Sequence, residues 1–144
     1  MNDKQQDVAL ILKLYELRRE DSLRRARAWY FKEFNPQSAA DILKVLGSGH
    51  DGSAYLRMIT SYWDMAASFV NNGGIDEKMF NDANGEHLGV FSKIEPYIEE
   101  VRQLIGRPDY LRQLETLVLK MPNARERLEG FRQVFARWAK AASQ

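Results

Sequence analysis

The chain has 144 residues, 28% of them charged, with a net charge of +1 and no cysteine. One domain fits that length, and the ordinary apolar content of 44% suits a packed core rather than a disordered chain. The missing cysteines exclude disulfides, thiolate metal sites and cysteine nucleophiles, and near-neutrality excludes a strong overall field for nucleic acid or membrane. No apolar run approaches the ~18 residues of a membrane span, and the polar N-terminus lacks the order of a signal peptide. The expectation is a soluble cytoplasmic protein.

Residues 1–6 are polar and read as frayed. From Asp7 a helical stripe begins, Leu10-Leu14-Leu17. Leu23, Ala26, Tyr30 and Phe34 continue at the same spacing but on nearly the opposite side of a straight helix. Either the chain breaks near Asp21-Ser22, with one of them as N-cap, or a long helix serves two partners. The second case would let residues 1–20 protrude and would make Leu10, Leu14 and Leu17 an interface for a homodimer or a partner protein. Within the second stripe, Arg24-Arg25-Ala26-Arg27-Ala28-Trp29-Tyr30-Phe31-Lys32 mixes cations with rings. Such a run can hold single-stranded nucleic acid or an anionic membrane surface. Glu20, Asp21 and Glu33 dilute the charge, so a packed helix with solvated arginines is the preferred reading, nucleic acid is disfavoured, and peripheral membrane contact stays open.

Asn35-Pro36 is read as cap and first turn of a short helix that stops at Gly47. The loop Gly47-Ser48-Gly49-His50-Asp51-Gly52 precedes a helix but has no phosphate-binding motif. Residues 53–71 then place ten apolar side chains over more than half of a helix circumference, leaving a thin polar ribbon of Arg57, Thr60, Ser61, Asp64 and Ser68. This segment is the expected central helix, with Trp63 and Phe69 shut inside. Asn71-Asn72-Gly73-Gly74 ends it, and Asp76 caps the next start. Residues 81–89 read as weak helix or loop. An apolar stripe from Leu88 to Ile105 contains Pro96, which requires a kink or a break near Glu95. Gly106-Arg107-Pro108-Asp109 and Met121-Pro122-Asn123 delimit a short helix over 109–120. The last helix, 123–142, turns Leu128, Phe131, Val134, Phe135, Trp138 and Ala142 to one side. No period-2 strand pattern and no internal repeat occurs. The fold class is all-α: a single-domain irregular bundle of about six to eight helices around residues 53–71.

Two groups of residues carry a family likeness. One is Tyr62-Trp63-Asp64 followed by Gly73-Gly74-Ile75-Asp76. The other is Pro96-Tyr97-Ile98 with Arg102, then Tyr110 and Leu114-Glu115. Over residues 22–120 the chain resembles an uncharacterised bacterial helical family, one of the domains of unknown function. The resemblance implies a bacterial source and an α-helical domain, and brings no activity, ligand or catalytic residue. Some members of that family carry an N-terminal membrane span, and residues 7–20 would stand in its place.

Candidate chemistry is sparse. His50 and His87 are far apart in the chain and lack metal-ligand spacing, so both are expected at or near the surface, with no metal and no cofactor. Arg102, if turned inward, needs a carboxylate, and Asp64 and Glu115 are the candidates for a buried ion pair. The same acids, with Asp76, could serve a two-carboxylate hydrolase, but no nucleophile or metal motif accompanies them, and the reading leans away from an enzyme with no catalytic residue assigned. A small-ligand sensor with a pocket lined by Tyr62, Trp63 and Trp138 is an alternative to the preferred reading, a non-catalytic interaction domain that self-associates through its N-terminal helix.

Overall fold

A computed structural model describes residues 4–143. Among them there are nine α-helices, one 3₁₀ turn and no strand. The helices are α1 (Lys4–Arg18), α2 (Asp21–Lys32), α3 (Ala39–Leu46), α4 (Asp51–Asn71), α5 (Glu77–Ala83), α6 (Glu86–Ile94), α7 (Ile98–Ile105), α8 (Arg112–Leu119) and α9 (Ala124–Ala142).

α4 is the axis. Leu56, Ile59, Trp63, Ala66 and Ala67 are buried on it, and α2, α3 and α8 pack along its sides. α6 lies between α8 and α9, and every residue from His87 to Ile94 is buried. The polar ribbon of α4 is narrower than the spacing suggests. Thr60 is buried, and its Oγ1 donates to the Leu56 carbonyl at 2.7 Å, the bond by which a hydroxyl satisfies itself inside a helix. The expectation for Phe69 is corrected: its ring is 45% exposed, as Met65 is partly, because no helix crosses that flank of the C-terminal turns of α4.

The break after the first stripe is real, and the N-terminal segment does not protrude. α1 folds back on the body, and the cap of α2 is Glu20 rather than Asp21 or Ser22. Its carboxylate accepts the Ser22 and Leu23 N–H groups at 3.1 and 3.3 Å. α3 begins later than Asn35-Pro36 implies. Ser38 Oγ accepts the Asp41 N–H at 3.1 Å while Asp41 accepts the Gln37 N–H at 2.9 Å, so the serine and aspartate outcompete proline as the start signal. At Pro96 the chain breaks, with a 3₁₀ turn over Glu95–Tyr97 between α6 and α7. Gly106, at φ 69°, ends α7 in the left-handed conformation that glycine adopts without strain.

Trp138 is a second correction. The 19 residues of α9 overrun the nine of α6, so its last turns reach past their neighbour and leave Trp138 59% exposed. Gly52 lies under the Trp29 indole. A Cβ there would meet Trp29 Cζ2 at 2.9 Å. Trp29 is itself stacked on Phe34, 5.2 Å away, and cannot simply swing aside. Gly52→Ala should therefore lower stability by about 1 kcal/mol in urea titration, although alanine is the better helix former. A more stable variant would show that the indole yields freely.

Candidate interaction surface

α1 is held at three levels. Near its start, Asp7 Oδ2 accepts the Asp76 N–H at 2.9 Å. In its middle, Leu14 is buried and its carbonyl accepts the Tyr62 hydroxyl of α4. At its end, Arg18 lies over the Trp63 ring at 5.5 Å and 3.7 Å from Glu86. These anchors occupy one narrow side of the helix. On one flank Leu10 and Leu17 remain 46% and 43% exposed, and on the other Val8, Leu12 and Tyr15 are exposed too. Apolar residues thus surround α1 while only one side is covered, an arrangement that a lone surface helix does not need.

Of the predicted interface residues, Leu14 belongs to the chain's own core, and Leu10 and Leu17 form the rim of a groove. Met65 and Phe69 of α4 and Ile75 supply its other wall, and Lys13 is its charged residue. The groove encloses about 680 Å³. Sequence spacing shows Leu10 and Leu17 but not Met65 and Phe69, whose exposure depends on which flank α1 leaves open.

Beneath α1 lies a buried polar cluster with no local signal. Glu86 accepts from Arg27 Nε at 2.9 and 3.1 Å and from its Nη2 at 2.7 Å, and from the Trp63 indole N–H at 3.1 Å. His87, next in the chain, is wholly buried, which corrects its expected surface position. Its ring stacks on Trp63 at 5.5 Å, and its Nε2 is 2.9 Å from Asn81 Oδ1. Nδ1 has no partner. Burial, and then the Arg18 guanidinium, push the imidazole down to about 4, so it is neutral at physiological pH. His50 sits apart, at the exposed N-cap of α4 with no side-chain bond to the helix.

The structure separates the predicted Asp64–Arg102–Glu115 group. Arg102 is buried, and its guanidinium meets Glu115 at 3.1 Å, Glu99 at 2.7 Å and the Tyr110 carbonyl at 2.8 Å. Asp64 serves α8 instead. Leu111, the N-cap of that helix, is left-handed at φ 55° and offers no capping oxygen, so Asp64 Oδ1 accepts the Leu114 N–H at 2.9 Å across the helix interface. Burial raises the Asp64 carboxyl above its ordinary range. Asp76 caps α5 through the Met79 N–H, 2.9 Å away. Each acid of the two-carboxylate reading is thus committed to a separate structural partner. Tyr62, Trp63 and Trp138 do not line a common pocket either: the first two meet edge to face in the core, and the third is on the far end of α9.

Lys93 is a further buried polar group that sequence spacing does not reveal. Its Nζ donates to the Tyr30 and Phe34 carbonyls at 2.8 and 2.7 Å and closes the C-terminus of α2. Among the described residues no group of three or more histidines and acids is placed to hold a metal ion, and no helix is long and apolar enough to cross a membrane.

A family model for a domain of unknown function, DUF4760, matches residues 5–121. The chain belongs to this family. No curated protein and no solved structure matches it. The matched segment of the DUF4760 domain runs from α1 through α8 and includes both walls of the groove, the Glu86–His87 cluster and the Arg102 pair. α9 lies beyond it, although Phe131 and Phe135 of that helix close on Gly89 of α6.

Proposed function

We propose that this DUF4760 domain is a non-catalytic interaction module that pairs with a second copy of itself through α1 and the groove beside it. The distribution of exposed apolar side chains carries this reading. Ten large hydrophobic residues are exposed among those described, and seven of them, Val8, Leu10, Leu12, Tyr15, Leu17, Met65 and Phe69, lie on α1 or on the groove wall. A partner that covers both flanks of α1 meets on the order of 600 Å² of this surface, the lower bound of what each partner buries in a specific complex. A second copy suits this surface better than an arbitrary partner because its charges are self-complementary. Lys13 and Glu16 sit one turn apart on the outer ridge of α1. An antiparallel crossing at the level of residues 14 and 15 would bring each copy's Lys13 to the partner's Glu16 twice over, as a twofold requires.

Sedimentation equilibrium at tens of micromolar tests the reading. The intact chain should be a dimer, and Leu10→Glu with Leu17→Glu should be a monomer that still unfolds cooperatively, its melting temperature lowered only by the loss of pairing, since neither residue is in the core. Lys13→Glu alone should weaken pairing, and adding Glu16→Lys should restore it. A monomeric parent chain at those concentrations would refute the proposal. Substitutions are preferable to deleting residues 1–20, which would also remove Leu14 and the Asp7 contact from the folded body.

A further inference from the structure

The polar ribbon of the central helix has no part in the groove beside α1. Arg57, Thr60, Ser61 and Asp64 recur at helical spacing on one side of α4, the helix that forms the axis of the core. That side faces the connection from α7 to α8, and the two walls enclose a cavity of about 440 Å³. The charges on the wall opposite α4 are matched within their own segment. Arg107 lies 4.0 Å from Asp109, and Arg112 meets Glu115 at 2.8 Å and the Pro108 carbonyl at 2.7 Å.

The two charges on the α4 wall are not matched. Among the described residues neither Arg57 nor Asp64 forms an ion pair. They stand two turns apart, about 10 Å along the helix axis, and do not meet each other. Arg57 donates from Nη1 to the Ser53 hydroxyl at 2.6 Å, a bond that leaves its charge uncompensated. Asp64 spends Oδ1 on the Leu114 N–H, and burial raises its carboxyl despite that bond, as expected of a carboxylate with no cation against it.

We propose that this cavity binds a small zwitterion, an α-amino acid with an apolar side chain, its carboxylate toward Arg57 and its ammonium toward Asp64. The charges of the lining select the occupant. A simple anion would face Asp64 and Asp109, and a simple cation would face the guanidiniums of Arg57, Arg107 and Arg112. A molecule that carries both signs satisfies the two unmatched groups at once. Leu46, Ile105 and Leu111 give the same cavity an apolar part for the side chain. No residue of this lining belongs to the groove beside α1, so the site stands whether or not the chain dimerises.

The test is isothermal titration calorimetry of the intact chain with L-leucine, for which a dissociation constant of ~100 μM is expected. Two analogues separate the charges: 4-methylpentanoate lacks the amine and L-leucinamide lacks the carboxylate. Each should bind at least about tenfold more weakly than L-leucine. Arg57→Gln and Asp64→Asn should each weaken L-leucine by at least about tenfold, and Arg57→Lys, which keeps the charge, should recover part of that loss. Position 57 is exposed, and an asparagine carbonyl at 64 still accepts the Leu114 N–H, so a cooperative melting transition confirms that the variants fold. No heat with L-leucine at millimolar concentration, equal binding of either analogue, or unchanged affinity in Arg57→Gln or Asp64→Asn would overturn the proposal.

Discussion

Trp63→Ala is expected to lower the unfolding free energy by about 4 kcal/mol, enough to unfold a large share of molecules in a domain of ordinary stability. Two losses combine. The ring is buried among Tyr62, Phe80 and His87, and its removal leaves a cavity that α4, pinned by neighbours on several sides, cannot collapse to fill. The indole N–H also disappears from Glu86, and Arg18 loses the ring it lies over. Trp63→Phe should recover part of the packing but not the hydrogen bond, and should fall between the two. Urea titration of the three proteins gives the ordering. A Trp63→Ala variant within 1 kcal/mol of the parent would mean that this part of the core repacks freely.

The second large effect is a loss of stability in acid, traced to His87. In the unfolded chain the imidazole takes its proton near pH 6.5, and in the fold it resists until about pH 4. Between those values the unfolded state binds the extra proton, so stability falls as pH drops through that window. The His87 contribution approaches about 3 kcal/mol once pH 4 is reached. Above pH 6.5 both states hold the ring neutral and the effect vanishes. His87→Gln should be weaker than the parent at neutral pH, since it gives up the stacking on Trp63, but its stability should decline less between pH 6.5 and 4. Parallel pH profiles of the two proteins would assign the acid loss elsewhere.

These two residues also show where sequence reasoning stops. Trp63 was legible because its neighbours along α4 repeat at helical spacing, and that periodicity survives any detail of packing. The helix boundaries at Pro96, Gly106 and Pro122 were legible for the same reason: backbone chemistry is local. His87 was not. It is buried because α4 and α5 converge on the first turn of α6, and nothing within a few residues of it records that approach. Phe69 and Trp138 failed in the opposite sense. Both continue an apolar stripe, but a stripe shows which side of a helix faces inward and not how far along that side a neighbour extends. Of the candidate site, Leu10 and Leu17 were visible in the chain, whereas Met65, Phe69 and the path of α1 across Tyr62 emerged only from tertiary packing. Asp64 was drawn to the wrong partner, because the need of α8 for a cap arises from the left-handed Leu111.

α9 covers α6 from outside the matched segment. Stripped of that cover, the Gly89 side of α6 would lie open to water, and the apolar stretch from Leu88 to Ile94 would lose one of its walls. The matched segment is therefore shorter than the unit that buries α6, and a fragment trimmed to residues 5–121 would be prone to clump.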